Sequence, residues 1–268
     1  MAVSRRIAAV ALGCAMTVLA VAGCGGSDPR AEPRTRGLPQ ADESVQLDPT
    51  KFSADVTNRW WPLAPGTRWV YRETTEDGEQ VQVVVTATPV TRRIANGVTA
   101  RVVRDTVTLD GVVIEDTFDW YAQDAEGTVW YLGEDTAEFE NGELTTREGS
   151  FEAGVDGAQA GVIMPAEPVV GMSYRQEYYE GEAEDHGEVL ALDAEATVPA
   201  GRYEELLQTA DTTPLEPDVL EHKFYAEGIG LVLTIDRDGD GREELLSVQT
   251  VPASAAERAG RVPLGQHY

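Results

Sequence analysis

From Trp60 to Val251 the chain alternates between short apolar runs and polar turn pairs. The pairs are Asp77-Gly78, Asn96-Gly97, Asp110-Gly111, Asn141-Gly142 and Asp156-Gly157. Asn, Asp and Gly tolerate the positive φ of tight hairpins, so each pair predicts a reversal of the chain. Between them lie runs rich in β-branched and aromatic residues: Thr67–Thr74, Gln80–Thr88, Val98–Leu109, Val112–Gln123 and Thr128–Leu132. These predict strands. No window gives a long helical period. Arg202–Thr209 reads equally as a short helix or a strand. The fold class expected is all-β, an antiparallel meander whose strongly curved sheets form a sandwich or a partly open barrel.

Self-comparison sharpens this expectation. Gly66 and Trp69 match Gly171 and Tyr174; Gly97 matches Gly201; Trp120-Tyr121-Ala122 matches Phe224-Tyr225-Ala226; Gly127 matches Gly230. The offsets are 105, 104, 104 and 103 residues, in constant order. Two repeated units are therefore expected within a β-domain at 53–251, at about 60–165 and 166–251, each of five or six strands. Chance alignment of glycines and aromatics in a meander is the alternative. A single such unit leaves one sheet face bare, so the two must pack together or close on each other. All five tryptophans fall in the first unit or just before it. Trp69, Tyr71, Trp120, Tyr121 and Trp130 are candidates to line an apolar cavity, with simple core burial as the competing role.

Trp61-Pro-Leu-Ala-Pro-Gly-Thr-Arg-Trp69-Val-Tyr71 and Lys223-Phe-Tyr-Ala-Glu-Gly-Ile-Gly-Leu-Val232 resemble the opening and closing motifs of a broad set of uncharacterised secreted bacterial β-proteins and lipoproteins. The resemblance implies a curved antiparallel sheet and carries over no catalytic residue, since its motifs are turn glycines and aromatics.

The N-terminus reads as an address. Arg5 and Arg6 precede an uncharged apolar stretch from Ile7 to Ala22, which ends at Val21-Ala22-Gly23-Cys24. A positive flank, a short apolar run and small residues at the cut describe a signal peptide. The stretch is shorter than the ~20 residues of a spanning helix. The last four residues resemble a bacterial lipobox, which implies a signal at 1–23, cleavage before Cys24 and lipid on its sulfur and amino group. An ordinary cleaved signal or a short anchor helix is the alternative. Cys14 would leave with the signal, so Cys24 would stand alone, with no disulfide or cysteine metal cluster. Residues 24–52, rich in Pro, Gly and charge, are expected to form a flexible tether, and 252–268 a loose tail. The expected location is the bacterial cell envelope, outside the cytoplasm and anchored in a membrane.

Charge narrows the partners. The chain of 268 residues carries 47 Asp+Glu against 21 Lys+Arg, a formal net charge of −26. Losing Arg5 and Arg6 with residues 1–23 takes it to −28. Such a surface repels phosphates, which argues against nucleic-acid binding. One local use of the acid stands out. Asp236, Asp238 and Asp240 alternate, Gly241 follows, and Glu244 comes four residues after Asp240. With the carbonyl of Arg242, these residues supply the oxygens a Ca²⁺ ion requires. Position twelve is Ser247 and strands flank the loop, so it resembles the calcium loops of FG-GAP repeats more than an EF-hand. The expectation is a structural Ca²⁺ site, an acidic hairpin without an ion being the alternative. Glu180, Glu182, Glu184, Asp185 and His186 read as solvated hairpin decoration. If Val112–Gln123 is one strand, Asp116 and Asp119 face opposite ways and make no glycosidase pair. His222 is expected to make a cross-strand polar contact.

There is no G-x-S-x-G elbow, H-E-x-x-H, P-loop or dinucleotide fingerprint. The leading expectation is a tethered, non-enzymatic lipoprotein that binds an apolar or amphiphilic ligand or an envelope protein. A carboxylate-based hydrolase acting on envelope glycan or lipid, and a purely structural surface protein, are the alternatives. A binder would show an aromatic-lined cavity, and a hydrolase two carboxylates ~5–9.5 Å apart in a cleft.

Overall fold

The computed structural model describes residues 37–75, 78–237 and 241–268. Among them are sixteen strands: β1 (Phe52–Ser53), β2 (Thr67–Thr74), β3 (Gln80–Arg93), β4 (Thr99–Leu109), β5 (Val112–Asp124), β6 (Val129–Glu140), β7 (Glu143–Thr146), β8 (Phe151–Glu152), β9 (Gln159–Met164), β10 (Ser173–Arg175), β11 (Glu177–Tyr178), β12 (His186–Val198), β13 (Gly201–Thr212), β14 (Leu220–Ala226), β15 (Gly230–Asp236) and β16 (Arg242–Thr250). One α-helix, α1 (Ala253–Ala259), follows them. The fold is all-β and antiparallel. Arg202–Thr209 is strand, inside β13.

Hydrogen bonding runs in the order β10-β12-β13-β14-β15-β16-β2-β3-β4-β5-β6-β9-β11. The two ends of this path, β10 and β11, are neighbours in the chain. Ser173–Arg175 pairs with β12, and Glu177–Tyr178 pairs with β9. One short segment therefore joins both edges and brings the sheet almost to a closed barrel, which removes the exposed edges that invite aggregation. The crossing is tight. A Cβ on Gly161 would sit 2.1 Å from the Gln176 carbonyl oxygen, so only glycine allows the backbones this close.

Side chains alternate across the wall. One large buried cluster draws on strands all around the sheet, including Trp69, Val83, Val103, Tyr121, Tyr131, Val162, Tyr174, Leu206, Tyr225, Leu233 and Leu245, and so fills the interior. Trp61 seals it between Tyr121 and Tyr225, with ring centroids at 5.6 and 5.9 Å. Tyr121 and Tyr225 are positions matched in the self-comparison. A second cluster, with Val102, Trp120, Ala122, Leu132 and Ala160, lies on the outer face of β4, β5, β6 and β9, with Leu47 and Phe52 packed on it.

Both terminal expectations need correction. Residues 37–53 are not a free tether. Arg175 donates from its amide to Pro39 O at 2.8 Å, and from its guanidinium to Ala41 O and Glu43 O at 2.6 and 2.7 Å, while Phe52 pairs with Asp124. Nor is 252–268 loose. It forms α1 against β3 and then wraps Arg104, a fully buried guanidinium on the outer face. Arg104 grips Asp116 in a two-pronged pair and donates to the carbonyls of Ala259, Val262 and Pro263. Tyr268 lies over it at 4.1 Å. The tail is held because it supplies the oxygens this buried cation requires.

Candidate acidic interior and cleft

The predicted cavity aromatics do not line one cavity. Trp69, Tyr71 and Tyr121 belong to the interior cluster, Trp120 to the outer one, and Trp130 lies half-buried against both. The void beside Trp61, Trp69, Val85, Val103 and Leu231 measures about 20 Å³, room for little more than one water. Of the predicted calcium set, Asp238 and Asp240 lie outside the described residues, as does Cys24. Asp236 ends β15 and Arg242 begins β16. The Glu244 carboxylate takes hydrogen bonds from Arg72 at 2.8 Å and Arg242 at 2.9 Å. Its titration is pulled below the ordinary range, the two guanidiniums outweighing partial burial.

A different constellation sits inside the barrel. Asp119 and Tyr121 project inward from β5. Opposite them, Asp119 pairs in register with Glu134, and Tyr121 with Tyr131. Three steps on β6 thus face two on β5, a bulge that turns Tyr131 and Glu134 to the same side. Gly133 sits in it at φ +128°, where a Cβ would strike the Phe151 carbonyl. The Tyr131 hydroxyl lies 2.9 Å from Asp119 Oδ1 and 2.9 Å from Glu134 Oε2. A hydroxyl has one proton to give. That one proton is shared between the Asp119 and Glu134 carboxyls.

Folding favours the protonated form of Glu134. Burial and then the Asp119 charge push its carboxyl well above the usual carboxylate range, against a smaller opposing pull from Tyr131. Glu177 on the closing segment is fully buried, and among the described residues neither of its oxygens has a hydrogen-bond partner. Burial, then Asp185, then Glu134 raise it well above the ordinary range. Asp185, also buried, is raised to about 7, chiefly by desolvation. The balancing cation is Lys223, buried with its Nζ 2.9 Å from Asp211 and 3.2 Å from Glu221. Burial alone would discharge it, but those two carboxylates outweigh burial and hold it charged.

Sequence reasoning missed most of this group. The sequence pattern places Asp185 in solvated hairpin decoration, but the segment before β12 carries it inside, where it is 6% exposed. Glu134 and Glu177 carried no motif. The one available signal was Gly133 beside an acid within a strand, a mark of a bulge. His222 does contact a neighbouring strand, through Gln208 at 2.9 Å.

Of the interior acids, Glu134 also reaches a cleft. The cleft holds about 260 Å³ and is lined by Trp120, Glu134, Phe151, Glu152, Val155 and Tyr179, among others. Arg92 stacks on Trp120 at 4.0 Å and reaches Glu152 at 2.5 Å. Asp135 pairs with Arg147. Among the described residues no three His, Cys, Asp or Glu side chains are placed to share a metal ion.

No protein-family model matches the chain, and no curated protein matches it. Among solved structures it overlays on a Bacteroides fragilis protein described as exported, with a YmcC-like fold, at 13% identity and TM-score 0.43. That overlay covers 72% of this chain and 100% of the other. A Parabacteroides distasonis protein described as a lipoprotein overlays at 12% identity and TM-score 0.38, covering 71% and 98%. Likeness at these scores carries no conclusion about what this chain does.

Proposed function

We propose that the chain is a membrane-tethered binding protein of the bacterial envelope, which holds a small amphiphilic ligand in the cleft between β6, β8 and Tyr179. The observation that carries this reading is the cleft itself: about 260 Å³ with Trp120, Phe151 and Tyr179 on its walls and a single interior carboxyl, Glu134, reaching it. Arg92, Asp135, Ser150, Glu152 and Asp156 share the lining with these aromatics, so the cleft offers apolar faces beside charged groups, the mixture an amphiphile requires. The address rests on Arg5, Arg6 and the Val21-Ala22-Gly23-Cys24 signal.

Hydrolysis by a carboxylate pair fits less well. Asp119 and Glu134 are bridged by one hydroxyl, but Asp119 is 1% exposed. A glycosidic bond cannot lie between a carboxyl in the cleft and one sealed behind a tyrosine. A calcium ion in the β15–β16 turn remains a proposal resting on the spacing of Asp236, Asp238 and Asp240, and calcium titration followed by melting temperature tests it.

Native mass spectrometry of detergent-extracted protein tests the main reading. Lipid on Cys24 and a co-purifying small molecule are expected, with the molecule lost in Val155→Trp, which fills the cleft. Unmodified Cys24, or a ligand retained in that variant, contradicts the corresponding half.

A further inference from the structure

We propose that the short segment closing the barrel is a gate, and that residues 38–43, the strap crossing it from outside, are the clasp that holds it shut. The gate lies at the barrel seam and is independent of what the cleft holds.

Along the hydrogen-bonded path of the sheet, the seam is the thinnest closure. β12 and β13 pair from His186–Thr212 to Val198–Gly201, and β4 and β5 from Leu109–Val112 to Arg101–Tyr121. At the seam Ser173–Arg175 meets β12, and only Glu177–Tyr178 meets β9. Local opening costs least where few backbone bonds must break.

Arg175 fastens both edges to the strap. It is fully buried on β10. Its guanidinium donates to Ala160 O on β9 at 2.7 Å, to Ala41 O at 2.6 Å and to Glu43 O at 2.7 Å. Its amide donates to Pro39 O at 2.8 Å, and Gln40 Nε2 donates to Ser173 O at 2.9 Å. Two of the three carbonyls on the guanidinium thus belong to the strap. A buried cation left with one carbonyl is unstable in a dry site. When the strap lifts, Arg175 must turn to water, and its bond across to Ala160 breaks with it.

The interior side favours opening. Behind Arg175, the two Glu177 oxygens and the Tyr174 hydroxyl are buried without hydrogen-bond partners among the described residues. Closing the seam dehydrates these groups at a cost in free energy, recovered when water reaches them. The strap is lightly held: of residues 38–43 only Pro39 is buried. Gly37 comes thirteen residues after Cys24, so a load on a lipid anchor there reaches the clasp before any strand of the barrel.

Hydrogen–deuterium exchange of the detergent-solubilised full chain, read by mass spectrometry, tests this. In the unmodified protein, residues 173–178 should exchange at least tenfold faster than β3, in step with Glu43 and Val45 of the strap. Deleting Leu38–Glu43 should raise exchange at 173–178 a further tenfold and leave β3 and β4 unchanged. Arg175→Gln should in turn strip protection from Glu43 and Val45, since coupling between strap and seam is reciprocal. Seam exchange as slow as that of β3 in the unmodified protein would overturn the gate, a result that needs no variant to fold. No change at the seam on deletion, or an equal rise at the seam, β3 and β4, would overturn the clasp. Unchanged protection of the strap in Arg175→Gln would overturn the part given to Arg175.

Discussion

Two buried groups of charge, one on each face of the same barrel wall, are built on opposite principles. On the outer face Arg104 and Asp116 form a closed account of donors and acceptors. Every guanidinium nitrogen has a partner, and the Gly265 amide completes the carboxylate at 2.7 Å. On the inner face Lys223 acts on Glu177, Asp185 and Asp211, while burial and neighbouring carboxylates raise Glu134 and Glu177 well above the carboxylate range. Asp116 and Asp119 are three residues apart on β5, so alternation alone divides the two systems. A satisfied pair holds structure in place, whereas carboxyls that must carry protons respond to pH and to any cation that reaches them.

The comparison breaks first at Arg104. Arg104→Ala leaves Asp116 buried and unpaired and frees the tail, and is expected to cost about 3–5 kcal/mol in urea denaturation. Near-unchanged stability would mean that the outer group is not closed.

The inner group should respond to pH in the opposite sense to a salt-bridged acid. A carboxyl whose titration is raised by folding binds more protons in the folded state than in the unfolded one. Its contribution is full below the ordinary range near 4.5 and is lost as pH rises through the folded value. For Asp185 the loss falls between about 4 and about 7, and for Glu134 and Glu177 it extends higher. Melting temperature should therefore fall as pH rises from 5 to 8. Glu177→Gln should flatten that slope and gain on the wild type by about 1.4 kcal/mol for each pH unit by which folding raises the group. An unchanged slope would contradict the assignment.

The smallest effect is expected where charge is exposed. Arg202 bridges Glu195 and Glu204 with its side chain 63% exposed, and Arg202→Ala should change stability by less than about 1 kcal/mol. A larger loss would blur the contrast between buried and surface pairs.

The fold was far more legible in the sequence than the site, for a physical reason. Turn pairs and β-branched runs act over neighbouring residues, so β2 appeared at its observed bounds and the starts of β3 and β5 were found to the residue. The opposite facing of Asp116 and Asp119 followed from the same alternation. The acidic interior depends on interactions no local window contains. Glu134 faces Asp119 only because the bulge at Gly133 breaks the alternation, and Glu177 lies inside only because a six-residue segment closes the barrel over Gly161. The tail was misjudged because its seven-residue helix is short and its main holding point, Arg104, lies some 150 residues away in the chain.

Everything said of the inner group turns on the proton at Glu134. Carbon-13 NMR of its side-chain carboxyl, assigned by the signal missing in Glu134→Gln, measures this directly across pH 4 to 9. The resonance should remain at the protonated position through the range where exposed glutamates titrate, and move only well above it. A Glu134 signal that has completed its shift by pH 5.5 would contradict the raised titration of this carboxyl.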